Sequence, residues 1–148
     1  MMNAARPRHF LPGDGKSCKL GRITLTFKAT AADTAGAYTL CKAIEPPGSG
    51  AGLHRHTTYD ETHIICAGRY ECQLGDRMLE LGPGDMIFAP RGTPHSVKCL
   101  GPEPGRELMI SSRPVSGPML LILWAVPRGA NIISPGPSSS ARSPSRHW

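Results

Sequence analysis

The chain lacks any apolar run near the roughly 18–20 residues that a membrane-crossing helix needs. Its longest apolar stretch, Met119 to Val126, has the length of a strand. The N-terminal segment MMNAARPRHFLPGDGKSCK carries basic residues but no apolar core after them, so it does not read as a secretory signal. Its Pro and Gly argue against an amphipathic presequence helix. The five cysteines (18, 41, 66, 72, 99) are odd in number and contain no CxxC pair, which excludes a disulfide framework. Cys41, Cys66 and Cys72 fall in strand-like apolar runs, where a free cysteine is expected as a small buried hydrophobe. A reducing compartment, the cytoplasm, follows from that usage. No helical period of three or more turns occurs anywhere.

A basic folded surface is also missing, although the net charge is +6. Residues 1–28 hold six basic groups and one acid, and residues 113–148 hold four arginines and no acid. Between them, residues 29–112 carry a net of −3. The excess charge therefore sits at the ends. A nucleic-acid reader needs a basic patch with a reading element, and neither is visible.

What the chain has is turns. Gly and Pro together number 32 of 148 residues, a length that suits one domain. LGRITLTFK alternates, with Ile23, Leu25 and Phe27 on one face. AYTLCKAIE alternates again, with Tyr38, Leu40 and Ile44 opposite Thr39, Cys41 and Ala43. PPGSGAG reads as a loop unable to hold a ladder, and a strand resumes at Leu53 to His56. Further short strands are expected at Glu61–Cys66, Arg69–Leu74, Met78–Leu81, Met86–Phe88, Ser96–Leu100, Arg106–Ser111 and Met119–Val126. About ten short strands joined by Gly/Pro turns predict an all-β sandwich or barrel. Residues 1–19 are expected as a loosely ordered arm and 20–126 as the barrel. Residues 127–148, rich in Ser, Pro and Arg, are expected to be a disordered tail.

The segment Gly48 to Gly68 carries the chemistry. His54 and His56 are two apart, and Glu61 follows five residues later. Residues at i and i+2 share a face of a strand, whereas on a helix they diverge. His95 arrives 34 residues after Glu61, in APRGTPH. Three imidazoles and one carboxylate make a full protein shell for a divalent first-row metal. An inward carboxylate on a strand is costly unless paired or metal-bound. A pocket that binds no metal is the competing reading. His63, two after Glu61, is expected on the same inner face, as a second-sphere base or a satisfied core histidine. Arg55 is expected outside and Asp60 solvated.

These residues carry a resemblance to the single-domain cupins (RmlC-like jelly rolls). The motif G-x5-H-x-H-x4-E-x6-G matches at Gly48, His54, His56, Glu61 and Gly68. The motif G-x5-P-x-G-x2-H-x3-N matches at Gly84, Pro90, Gly92 and His95, with Cys99 where the family has Asn. The similarity covers roughly Gly21 to Ser112. It implies a double-stranded β-helix, or jelly-roll barrel, with His54, His56, Glu61 and His95 ligating one divalent transition metal per chain, whether Fe, Mn, Zn, Ni or Cu. Gly48, Gly68, Gly84, Pro90 and Gly92 would be structural turns. It further implies a quercetin dioxygenase-like oxidoreductase, with Glu61 and His63 as catalytic groups. The substrate would be a small phenol, enol or diketone in a pocket lined by Ile65, Tyr70, Cys72, Phe88 and Met109. The alternatives are a non-enzymatic ligand- or metal-binding cupin and a sugar isomerase or epimerase. A homodimer is expected; no specific nucleic acid and no membrane are.

Overall fold

The computed structural model describes residues 7–112. The expected strand at Met119–Val126 and the tail at 127–148 lie outside the described residues. Among those described there are ten strands and no helix: β1 (Lys16–Leu20), β2 (Ile23–Ala29), β3 (Tyr38–Glu45), β4 (Gly50–His54), β5 (Asp60–Ala67), β6 (Tyr70–Leu74), β7 (Arg77–Leu81), β8 (Met86–Ala89), β9 (His95–Cys99) and β10 (Gly105–Ser112). A six-stranded sheet runs β1-β2-β3-β10-β5-β8, and a four-stranded sheet runs β4-β9-β6-β7. All pairings are antiparallel. The strand spacing anticipates such an all-β sandwich or barrel, and the resemblance its jelly-roll form. No helix among the described residues is long and apolar enough to cross a membrane.

The period of two decides what reaches the interior. On β5, Glu61, His63 and Ile65 are buried and the residues between them are not. On β10 the buried set is Gly105, Glu107, Met109 and Ser111. On β3 it is Thr39, Cys41, Ala43 and Glu45. The face of β3 with Thr39, Cys41 and Ala43 thus turns inward, and Leu40 and Ile44 stay half-buried on the other. The apolar filling forms two clusters. One joins Ile65, Tyr70, Cys72, Leu81, Ile87, Val97 and Cys99. The other joins Ile23, Leu25, Cys41, Ala43 and Met109. Burying such side chains contributes about 25 cal/mol per Å² of apolar surface.

Four sequence expectations need correction. Residues 16–19, expected within the arm, belong to β1, whose Cys18 pairs with Leu25 of β2. The stretch just before it is also tied down: Lys28 Nζ donates to the carbonyls of Leu11, Pro12 and Asp14. The PPGSGAG loop does hold a ladder, since Gly50 pairs with Lys98 and Ala51 with Val97. Gly50 is required there, because a Cβ would overlap the Val97 carbonyl. The strand that follows ends at His54 rather than His56. Finally, Cys66 is exposed, on the outer face of β5.

Candidate metal centre

Four donors come to one end of the barrel by different routes. His54 ends β4 opposite His95, the first residue of β9. A bulge between Ala51 and His54 adjusts the strand on the way. His56 lies beyond the strand end, so its position depends on the loop and not on strand alternation. That loop is fixed by Gly92, whose N–H donates to the His56 carbonyl at 2.6 Å. Gly92 has φ +85, the left-handed region that favours glycine. Gly48, Gly68 and Gly84 share that region at the other turns, and Pro90 opens the turn closed by Thr93 N–H. Glu61 enters from β5, with Ala89 of β8 and Ser111 of β10 beside it.

One ligand atom from each of His54, His56, Glu61 and His95 lies within 4.8 Å of all the others. Glu61 is 2% exposed, His56 2% and His95 1%. His54 and His95 have ring centroids 4.3 Å apart, and His54 and His56 4.8 Å. Glu61 Oε2 lies 2.9 Å from His56 Nε2 and 3.1 Å from His95 Nε2.

The donor set fits a cation. His54 Nδ1 donates to the Gly52 carbonyl at 2.6 Å, and His95 Nδ1 to the Thr93 carbonyl at 3.0 Å. Each such bond occupies Nδ1 and turns Nε2 toward the cluster, as a ligating imidazole requires. Three imidazole nitrogens then crowd one buried carboxylate oxygen, an arrangement that suits a cation. Burial, with neighbouring His95 and His56 adding to it, pushes His54 down to about 4. The imidazole is therefore neutral, the form that ligates. Burial alone would raise Glu61. The hydrogen bonds from His56, His63 and His95 outweigh it and hold the carboxyl well below its usual range.

His63 stands directly behind. Its Nε2 is 3.3 Å from Glu61 Oε2, and its Nδ1 donates to Glu107 Oε2 at 2.9 Å. Burial would lower its pKa, but the Glu107 charge and both carboxylate contacts hold it well above the usual value. Tyr59 stacks on His56 with centroids 4.2 Å apart, its hydroxyl 3.4 Å from His56 Nε2. Burial raises the Tyr59 phenol and keeps it protonated.

Of the expected pocket residues, Ile65, Tyr70 and Cys72 lie in one buried cluster and Met109 in the other. Phe88 does not belong with them. It is 52% exposed, because His63 pairs with Ile87 and Thr62 with Phe88. Ile87 and Ala89 take the inner face, and Phe88 the outer. Cys99 is buried in the first apolar cluster, outside the four-donor group. Arg55 is exposed. Asp60 is not simply solvated: it accepts from Arg91 Nε and Nη2, each at 3.0 Å, and from the Arg91 N–H at 2.9 Å. The side-chain bonds from Arg91, with its backbone N–H adding to them, hold the Asp60 carboxyl well down and pin the loop that delivers His95.

Sequence reasoning missed Glu107, Glu45 and the role of Tyr59. For Glu107 the signal was present, since Met109 was placed inward and Glu107 is two residues before it on the same strand.

Comparison with known proteins agrees with this geometry. Residues 43–111 match the family model described as "Cupin domain". Over 78 residues, or 53% of this chain, the sequence is 37% identical to the uncharacterized protein MJ1618 of Methanocaldococcus jannaschii. The chain spans 62% of that relative's length. The fold is similar to KdgF from a Halomonas species, with TM-score 0.67, 20% identity, 77% of this chain and 99% of that one covered. It is also similar to an RmlC-like cupin from Shewanella frigidimarina, with TM-score 0.62 and 18% identity over 76% of this chain and 96% of that one. A predicted oxalate decarboxylase from Thermotoga maritima gives TM-score 0.59 and 23% identity over 63% of this chain and 82% of that one. Motifs, strand order and the family match agree: residues 43–111 match the cupin domain, and a four-residue His/Glu cluster that could hold a metal ion lies at one end of that barrel.

Proposed function

We propose that the protein is a mononuclear metal-dependent oxidoreductase, dioxygenase-like, acting on a small phenolic, enolic or diketone compound. The observation that carries the metal half is the convergence of four ligand atoms within 4.8 Å at one end of the barrel. His54, His56, Glu61 and His95 would hold one divalent transition metal, with Fe, Mn, Zn, Ni and Cu all compatible with three nitrogens and one oxygen. Such an ion would supply Lewis acidity toward a substrate oxygen. The chain's own part is positional. Gly52 and Thr93 carbonyls orient two imidazoles, and Tyr59 shields a third. Glu61 and His63 are the proton-handling pair, with His63 able to hold a proton at Nε2 beside the carboxylate. Ile65, Tyr70, Cys72 and Met109, packed in the core below, would supply apolar surroundings to an aromatic or enolic body.

Oxygen uptake tests the reading directly. Metal-loaded protein is screened against enolic, phenolic and diketone compounds, and turnover that disappears in His95→Ala supports it. Tight stoichiometric metal with no turnover for any first-row ion favours the second reading, a non-enzymatic metal- or ligand-binding cupin. That reading draws on the dense filling below the cluster. A sugar isomerase ranks last, since the lining offers few groups for hydroxyls. A homodimer through the outer face at β8, where Met86 and Phe88 are 61% and 52% exposed, is part of the proposal. So is a cytoplasmic location, which suits five free cysteines.

A further inference from the structure

The metal end accounts for Glu61 and the imidazoles but not for a second set of buried polar groups. Glu45, the last residue of β3, is 0% exposed, and neither carboxylate oxygen has a hydrogen-bond partner. The Tyr70 hydroxyl, also fully buried, faces that carboxylate outside full hydrogen-bonding geometry. Gly105 makes the approach possible. It pairs with Glu45 across β3 and β10, and a Cβ there would overlap the Tyr70 hydroxyl. Glu107 stands two residues along the same face of β10, 1% exposed, with one oxygen already accepting from His63.

The charges around Glu45 decide its state. Glu107 faces it from β10, His63 from β5 and Tyr70 from β6, with Cys99 of β9 next to Tyr70. From β2 the inward groups are Ile23 and Leu25, which are apolar. The buried polar residues among those described include no lysine and no arginine. The nearest base, His63, is already held between Glu61 and Glu107. An ionised carboxylate with no donor in such surroundings is strongly disfavoured.

We infer that Glu45 is kept as a neutral carboxylic acid, and that Glu45, Tyr70 and Glu107 form a proton-holding site on the inner side of His63, apart from the metal ligands. The proton stays on Glu45: moved to Glu107, it would leave the donor-less Glu45 carboxylate ionised and take from His63 its closer counter-charge. Its presence there does not rest on the metal reading above. Burial, reinforced by the Glu107 charge, pushes Glu45 from 4.5 up to about 8, in accord with the geometry.

Infrared spectroscopy of the full chain, metal-free and metal-loaded, tests this. At about pH 6, between 4.5 and about 8, the wild type should show a carboxylic acid carbonyl band that Glu45→Gln removes. Tyr70→Phe should keep the band but shift it, as should Gly105→Ala. Thermal melting gives a second readout. The folded chain holds a proton that the unfolded chain releases above 4.5, so stability should fall as pH rises toward about 8, and Glu45→Gln should flatten that fall. Absence of the band in wild type, its survival in Glu45→Gln, or a band unmoved by Tyr70→Phe would overturn the inference. If Glu45→Gln does not fold, the Tyr70→Phe shift and the wild-type band still decide. The band in metal-free protein is read independently of metal content, so failure here and failure of the metal reading are told apart.

Discussion

Glu61 and Glu45 are both inward-facing strand glutamates, 2% and 0% exposed, yet their surroundings drive them apart. Three imidazoles close on one oxygen of Glu61 and hold it ionised. No donor reaches Glu45, and burial holds it neutral well above the usual range. Depth alone therefore does not set the charge of a buried carboxylate; the donors within about 3 Å do. The two ends of one barrel thus become an anionic, imidazole-rich end suited to a cation and an acid end suited to a proton. His63 and Glu107 connect them.

The largest expected effect lies at the imidazole end. Replacing His54, His56, Glu61 or His95 by Ala should weaken metal binding by more than the roughly 10–100-fold typical of outer-shell changes. Elemental analysis reads this as a collapse of the metal-to-protein ratio. Next is the link between the ends. Glu107→Ala strips the buried His63 charge of its closer carboxylate and should cost about 3–5 kcal/mol in denaturant unfolding. Glu107→Gln should cost less but weaken metal binding on the order of 10-fold, because His63 no longer braces Glu61. At the acid end, Gly105→Ala forces Tyr70 off its position and should cost about 1–3 kcal/mol. A smaller effect follows from His54 in metal-free protein. Its folded value is depressed from 6.5 to about 4, so stability should be full above 6.5 and fall as pH drops through that window. Mildest of all, Phe88→Thr on the outer face should leave monomer stability within about 0.5 kcal/mol.

The imidazole end was legible in the sequence and the acid end was not, for a physical reason. His54, His56, Glu61 and His95 stand out because four ligand-type side chains at fixed spacing between Gly/Pro turns are rare by chance. Even so, the expected geometry was partly off. Strand alternation places His54, but His56 is placed by a loop that Gly92, between β8 and β9, pins through its N–H. Phe88 was assigned to the wrong face by one residue; only its pairing with Thr62 settles which side it takes. Glu45 reads as an ordinary surface glutamate until its strand is seen to be central in the sheet, where one face must be buried. Alternation with Met109 was enough to place Glu107. Nothing local placed Glu45, because the large side chains of β3 point outward and its small ones inward.

The central claim is that three imidazoles and one carboxylate from separate segments meet at a single cation. Crystals grown from metal-loaded protein, measured at the absorption edge of the bound ion, locate that ion without assumptions about the chain. The account predicts one anomalous peak per chain among His54, His56, Glu61 and His95. No peak there, or a peak elsewhere in the barrel, would contradict it.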